Sequence, residues 1–177
     1  MADGTFDGYT RVTEVLYPFS GMSSIPESVL SNAARRGTRV HSVCESIMKG
    51  LGAWDVDEEI SGYIDSFNQW WETGIKVVEI EKRFFCDDLK ITGQVDLIID
   101  TPSGLNILDL KTPAKPSKTW PLQGSAYAYM ARSQGYEITG IQFLQLRKDG
   151  KKPKLYQYED QFELFQKCLD VYNYFYR

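Results

Sequence analysis

The seven residues Leu105-Asn106-Ile107-Leu108-Asp109-Leu110-Lys111 constrain this chain more than any other segment. Their alternation is that of a β-strand, so Ile107, Asp109 and Lys111 share one face while Asn106, Leu108 and Leu110 share the other. An acid and a lysine on a strand this apolar cost free energy unless they meet each other or a ligand. The segment Lys90 to Asp100 reads as a second strand and places Asp96 among Val95, Leu97, Ile98 and Ile99, with Gln94 and Ile98 on its face. Pro102-Ser103-Gly104 supplies the turn between them, so Asp96 and Asp109 can lie side by side. Two neighbouring carboxylates repel, and a divalent cation is the natural way to keep both ionised. Hard oxygen ligands select Mg²⁺ or Mn²⁺. Such an ion polarises a phosphoryl oxygen and acidifies water, and Lys111 beside it can stabilise developing negative charge. The chemistry expected of this pattern is hydrolysis of a phosphodiester.

The rest of the chain supplies a setting. Residues 1–25 carry Gly, Pro, Ser and aromatics without a period and read as a partly irregular leading segment. Helical spacing of Val29, Ala33, Val40, Val43, Cys44 and Ile47 follows Pro26, with Ser24 a candidate cap and Gly37 a candidate break. A second helix is expected over about Asp57 to Thr73, strands over Lys76 to Phe85 and Lys90 to Asp100, and a third strand over Leu105 to Lys111. Residues 112–121 read as a loop, Trp120 to about Gln134 as a helix, Ile138 to Arg147 and Lys154 to Tyr158 as strands, and the last stretch from Gln161 as an aromatic-rich helix. The expected fold class is α/β, a mixed central sheet flanked by helices, in a single domain over 1–177.

Composition narrows the function classes. The net charge of −4 weighs against coating DNA by bulk attraction. Lysines nevertheless gather at Lys111, Lys115 and Lys118, and again, with Arg147, at Lys148, Lys151, Lys152 and Lys154. One histidine and three scattered cysteines, Cys44, Cys86 and Cys168, do not make a structural zinc site or a disulfide framework. The start MADGTFDGYT lacks the pattern of a signal peptide, and no apolar run is long enough to span a bilayer, so a cytoplasmic location without membrane partners is expected.

Gly93-Gln94-Val95-Asp96, then Asp109-Leu110-Lys111, then Gln123-Gly124-Ser125-Ala126-Tyr127 resemble the PD-(D/E)XK nuclease superfamily. The likeness is to the branch holding RecB-type nuclease domains, Cas4 and phage or mitochondrial-maintenance exonucleases. Upstream, Arg36-Gly37-Thr38-Arg39-Val40-His41 and Glu45 match the family's histidine-bearing helix. A lone D-x-K is weak, whereas four elements in order on the expected secondary structures are specific.

The resemblance implies a restriction-endonuclease-like core. It implies Asp96, Asp109 and the Leu110 carbonyl as metal ligands, His41 as a further ligand that favours Mn²⁺, and Lys111 as the catalytic lysine. Gln123 and Tyr127 would position the phosphate or brace Lys111, and each pair, His41 with Glu45 and Gln123 with Tyr127, shares a helix face at i, i+4. Glu45 and Glu81 stand as possible outer carboxylates. Arg36, Lys115, Lys118, Trp120, Lys148 and Lys151 are the candidate nucleic-acid contacts. The four-cysteine iron–sulfur cluster of Cas4-like relatives is not expected here, and there is no G-x-x-x-x-G-K-[ST] loop for a helicase motor. The implied activity is a Mg²⁺- or Mn²⁺-dependent DNase, an exonuclease or end-processing enzyme acting on single- or double-stranded ends in repair, recombination or phage replication. A helicase or recombination protein is the implied partner, and a phage source fits the branch. The rival classes are a nucleic-acid-binding module that keeps the fold without cutting, and a metal-binding or recruitment protein without DNA affinity.

Overall fold

The computed structural model describes residues 8–177. Among them the chain runs through β1 (Thr10–Arg11), α1 (Val12–Leu16), α2 (Glu27–Met48), α3 (Ser61–Trp71), β2 (Lys76–Cys86), β3 (Ile91–Thr101) and β4 (Gly104–Lys111). It continues through α4 (Trp120–Ser133), β5 (Ile138–Gln145), β6 (Lys154–Tyr158) and α5 (Phe162–Tyr176). Every element expected from periodicity is present, and the two strands that carry Asp96 and Asp109 start and stop within a residue of expectation. Gly37 does not break α2, which runs uninterrupted through it. Ser24 does not cap that helix either: its hydroxyl donates to the Gly21 carbonyl, and Pro26 occupies the cap position.

The leading segment is more ordered than its composition suggests. Residues 1–7 lie outside the described residues, but β1 pairs in parallel with β3, Thr10 against Ile91 and Arg11 against Thr92. Directly after it, Val12, Val15 and Leu16 of α1 are buried in the core. A two-residue strand and a five-residue helix are too short to impose a visible period, so packing rather than local propensity defines them.

β3 is the backbone of the sheet. β2 pairs antiparallel along one edge over its whole length, from Lys76 opposite Asp100 to Cys86 opposite Ile91. On the other edge β4 pairs antiparallel from Thr101 opposite Gly104 down to Leu97 opposite Leu108. β1 takes the far end of that edge. β5 then lies parallel to β4 and β6 antiparallel to β5, which makes the sheet mixed. The parallel β4–β5 step requires a crossover, and α4 provides it.

Alternation sends the strand side chains into two cores. Ile98 and Ile107 pack with Tyr127, Met130, Phe143 and Phe165 on the side of α4 and α5. Leu97, Leu108, Leu110 and Leu144 pack with Val40, Val43, Ile64 and Phe67 on the side of α2 and α3. Burying one such side chain contributes roughly 1.5–3 kcal/mol, so β3 and β4, apolar on both faces, form the rigid platform on which the polar exceptions must be placed.

One contact fixes the basic turn between β5 and β6. A Cβ on Gly62 would sit 1.9 Å from the Lys148 carbonyl oxygen, so the turn presses directly on the start of α3. Arg147 N–H donates to Ser66 Oγ at 3.1 Å, and Gln69 Nε2 donates to the Gly150 carbonyl at 2.5 Å. Gly62→Ala therefore cannot be relieved by a rotamer change. We expect it to destabilise the fold by about 2–3 kcal/mol, read as a lower thermal midpoint, and an unchanged midpoint would show that the turn is not seated there.

Candidate active site

The site begins where the β3–β4 ladder stops. Beyond Leu97 opposite Leu108, the Leu110 amide leaves the ladder and donates instead to Asp96 Oδ2 at 2.7 Å. Asp96 is thereby held in the gap between the two strands, almost fully buried at 7% exposed. Continuing the observed registers places Glu81 opposite Asp96 on one side and Asp109 opposite it on the other, so three carboxylates from β2, β3 and β4 form one row across the sheet. Glu81 adopts a left-handed backbone (φ 52°) in the middle of β2, a conformation that non-glycine residues rarely take and that here turns its side chain at the row.

Each member of the row has its own compensation. Asp109, 2% exposed, has Oδ2 2.6 Å from Lys111 Nζ and accepts from Gln123 Nε2 at 3.2 Å on Oδ1. Asp96 Oδ1 lies 3.4 Å from His41 Nδ1, delivered from α2. Glu81 accepts from Gln94 Nε2 at 2.6 Å, and the same Gln94 accepts from Arg83 at 2.5 Å. Lys111 donates to Gln123 Oε1 at 3.2 Å and stands 5.4 Å from the Phe143 ring centre. Gln123 in turn donates to Tyr127 Oη at 3.0 Å. The i, i+4 pairing of Gln123 with Tyr127 on α4 thus makes one hydrogen-bonded relay reaching both Asp109 and Lys111.

The glycine of the Gly93-Gln94-Val95-Asp96 motif has a packing reason. A Cβ there would meet Tyr127 Cε1 at 2.4 Å and Met130 Cε at 3.0 Å, so only glycine lets the Tyr127 ring lie on β3 three residues from Asp96. Gly93 therefore serves to seat α4 against the strand that carries the acid.

Electrostatics follow from crowding. Burial and the Asp96 charge raise Asp109 to about 6, even with Lys111 pulling the other way. Burial and Asp96 raise Glu81 to about 7. For His41, burial lowers the pKa, but the Asp96 carboxylate outweighs it and raises the imidazole to about 9. Asp96 alone is held below its ordinary range: burial works against it, and His41, Lys111 and the Leu110 amide prevail. Burial also pushes the Tyr127 hydroxyl well above its usual value, so it serves as a neutral hydrogen-bonding group.

The donor set suits a hard divalent cation. His41, Glu81 and Asp96 each offer a ligand atom, all within 4.8 Å of one another. Two crowded carboxylates, Glu81 raised by burial and by the Asp96 charge, stand beside one imidazole, and a divalent charge would relieve that repulsion. Glu81 belongs to this group more directly than its sequence position suggests, because the left-handed turn in β2 could not be read from composition. Glu45 lines the same open cleft, with Gly37, Thr38, His41, Ser42 and Glu81, and pairs with Lys49 at 2.5 Å. Leu110 contributes through its amide, which orients Asp96.

The candidate nucleic-acid residues divide. Lys115 and Lys118 are exposed on the loop leaving β4, and Lys148 and Lys151 on the turn leaving β5. Those segments leave neighbouring strand ends, joined by Leu146 N–H to the Lys111 carbonyl at 2.7 Å and Gln145 Nε2 to the Pro113 carbonyl at 2.7 Å. Lys151 is partly occupied by Asp149, 3.3 Å away. Trp120 must be corrected: it is 4% exposed and stacks on Phe143 at 5.4 Å, so it is core and offers no free face to a base. Arg36 is half-buried against Tyr63.

A mixed sheet between helices, with acids from adjacent strands and a lysine two residues on, defines the restriction-endonuclease-like class of nuclease folds. The profile of the PD-(D/E)XK nuclease superfamily matches residues 26–171, and the chain belongs to that superfamily. Among curated proteins, none matches the sequence significantly. Of solved structures, SSO0001 is similar at 17% identity and a TM-score of 0.56, over 95% of this chain and 75% of its own. A Eubacterium rectale protein described as a presumed exonuclease is similar at 10% identity and a TM-score of 0.59, over 93% of this chain and 77% of its own. These likenesses concern the fold. No helix among the described residues is long and apolar enough to cross a membrane.

The raised groups give a signed expectation. Asp109 and Glu81 contribute stability fully present below their unfolded values and lost as pH rises through about 6 and about 7. The His41 contribution is complete below its unfolded value and lost as pH rises through about 9. Without divalent cations, the melting temperature should therefore fall from pH 5 to pH 9.5, with a shallower fall in Glu81→Gln. Identical pH slopes for the two proteins in EDTA would contradict the assigned crowding.

Proposed function

We propose that this chain is a divalent-cation-dependent deoxyribonuclease that hydrolyses phosphodiester bonds at DNA ends, with residues 1–177 acting as one nuclease domain. The observation that carries the reading is the row Glu81–Asp96–Asp109 with Lys111 locked to its end by Asp109 and Gln123. Membership of a nuclease superfamily gives that row its reaction class.

In this reading Asp96 and Asp109, with His41 and Glu81, hold Mg²⁺ or Mn²⁺, and the imidazole tilts preference toward Mn²⁺. The bound ion supplies Lewis-acid polarisation of the phosphoryl oxygen and neutralises charge there. Lys111 presents a compact cation to the scissile phosphate, where negative charge builds in the transition state. Asp109 and Gln123 limit the rotamers of the lysine, so little reorganisation is left for the reaction itself. Gln123 and neutral Tyr127 fix the lysine's position from behind. Lys115, Lys118, Lys148 and Lys151 line the strand ends beyond Lys111 and track the flanking backbone, which makes binding salt-sensitive. The preference for ends over internal sequence-specific cutting, the setting in repair, recombination or phage replication, and a helicase or recombination partner are supported by the likeness to RecB-type nucleases.

The test is cleavage of end-labelled single- and double-stranded DNA with Mg²⁺, Mn²⁺ or EDTA. Wild type should cut only with metal, Lys111→Ala should lose about 10²–10³-fold in rate, and Glu81→Gln should need more metal for half-maximal rate. DNA that is bound but left intact under every condition would replace this reading with that of a binding module.

A further inference from the structure

Among the described residues, Arg36 is a guanidinium without a counterion. It makes no hydrogen bond or ion pair with any described residue, and its Nε is buried with no partner. Among the described residues its guanidinium lies over the Tyr63 ring, 5.9 Å from the centroid. Its neighbours on α2 are fully engaged: Arg35 pairs with Glu59 at 3.3 Å, and Arg39 with Asp57 at 2.9 Å and Glu59 at 3.2 Å. Asp57 and Glu59, between α2 and α3, are thus paired with Arg35 and Arg39 rather than with Arg36.

Helical spacing places Arg36 on the stripe of Val40 and Val43, the buried seam against α3, rather than on a solvated face. A buried donor left unpaired costs about 1–3 kcal/mol, more when charged, so this is a poor choice for stability alone. Location supplies a reason. The next residue, Gly37, lines the cleft with His41 and Glu81 and faces Thr112 Oγ1, immediately after Lys111. Beneath the guanidinium, Tyr63 adjoins Gly62, on which the Lys148 carbonyl rests. Arg36 is therefore flanked by the strand end carrying Lys111 and by the basic turn.

We propose that Arg36 is a phosphate clamp: its free fork takes, bidentately, a backbone phosphate of the bound strand that flanks the scissile one, with Tyr63 holding the guanidinium plane. The proposal rests on the nuclease reading above. Five fixed donors match two phosphate oxygens in a way that a lysine cannot, and the contact with the buried Tyr63 ring limits the side-chain freedom lost on binding. Lys111 serves the reacting phosphate, and Arg36 sets the register of the strand across it.

Arg36→Met and Arg36→Lys test this. In a Lys111→Ala background with Mg²⁺, fluorescence anisotropy of a labelled oligonucleotide is followed across a salt series. Arg36→Met should bind at least about tenfold more weakly, with the slope of log K against log salt reduced by about one. Arg36→Lys should recover the slope but only part of the affinity. With Lys111 present, Arg36→Met should raise KM while kcat stays within about threefold. The unliganded Arg36→Met protein should melt at or above the wild-type temperature, because an apolar chain of similar length replaces an unpaired charge. Unchanged affinity and slope, or a lower melting temperature, would overturn the clamp while leaving the nuclease reading intact. A wild type that neither binds nor cuts DNA would overturn the nuclease reading itself, and the clamp with it.

Discussion

Everything in this site depends on keeping Asp96 ionised inside the protein. A lone buried carboxylate takes up a proton rather than stay charged. Here the Leu110 amide leaves its ladder to donate to Oδ2, and His41 comes across from α2 to stand at Oδ1. Those two contacts open the gap between β3 and β4 and bring α2 to the sheet edge. That placement in turn positions Gly37, Glu45 and the cleft. Remove the charge from Asp96, and His41, Glu81 and Asp109 lose the neighbour that shifts all three.

The crowding is asymmetric, and the asymmetry is chemically useful. Asp109 is tied to Lys111 and Gln123, a link that α4 enforces by packing Tyr127 on Gly93. Glu81 and His41 are tied more loosely, one to Gln94 and the other to Asp96, and both line solvent-accessible space. The row thus has a rigid end that orients the lysine and an adaptable end where an ion can enter. Rigid elements carry the part that must be placed to a fraction of an ångström, and Glu81 of β2 with His41 of α2, at the open cleft, carry the part that must exchange.

Much of this was legible in the chain. Strand period alone put Asp109 and Lys111 on one face, and the helical i, i+4 spacing paired Gln123 with Tyr127. The Gly93-to-Tyr127 motif series pointed to the family. What could not be read follows from its physical nature. Glu81 could be named as a possible outer carboxylate from its place on the strand before Asp96, but its left-handed backbone, a departure from local preference that only tertiary structure sustains, had no local sign. β1 and α1 are too short to carry a period, although Val12, Val15 and Leu16 do recur at helical spacing. By sequence Trp120 is a candidate for base contact among aromatics that are more often core, and its ring lies on Phe143 of a strand more than twenty residues later. Local patterns specify faces, and long-range packing decides which of them stay in water.

Where the fold spends stability also indicates its purpose. Three carboxylates in one row, and a half-buried arginine with no ion pair among the described residues, are each unfavourable by themselves. Such features persist when a ligand repays them, because binding that relieves strain in the free state is selective for the ligand that relieves it. The signs are complementary: the acidic row requires a cation, and Arg36 with the nearby lysines requires anions. A polyanion and a divalent ion satisfy both at once, with Lys111 between them. On the nuclease reading proposed above, negative charge at the acidic row and positive charge on Arg36 and the nearby lysines would orient a nucleic-acid strand relative to the ion.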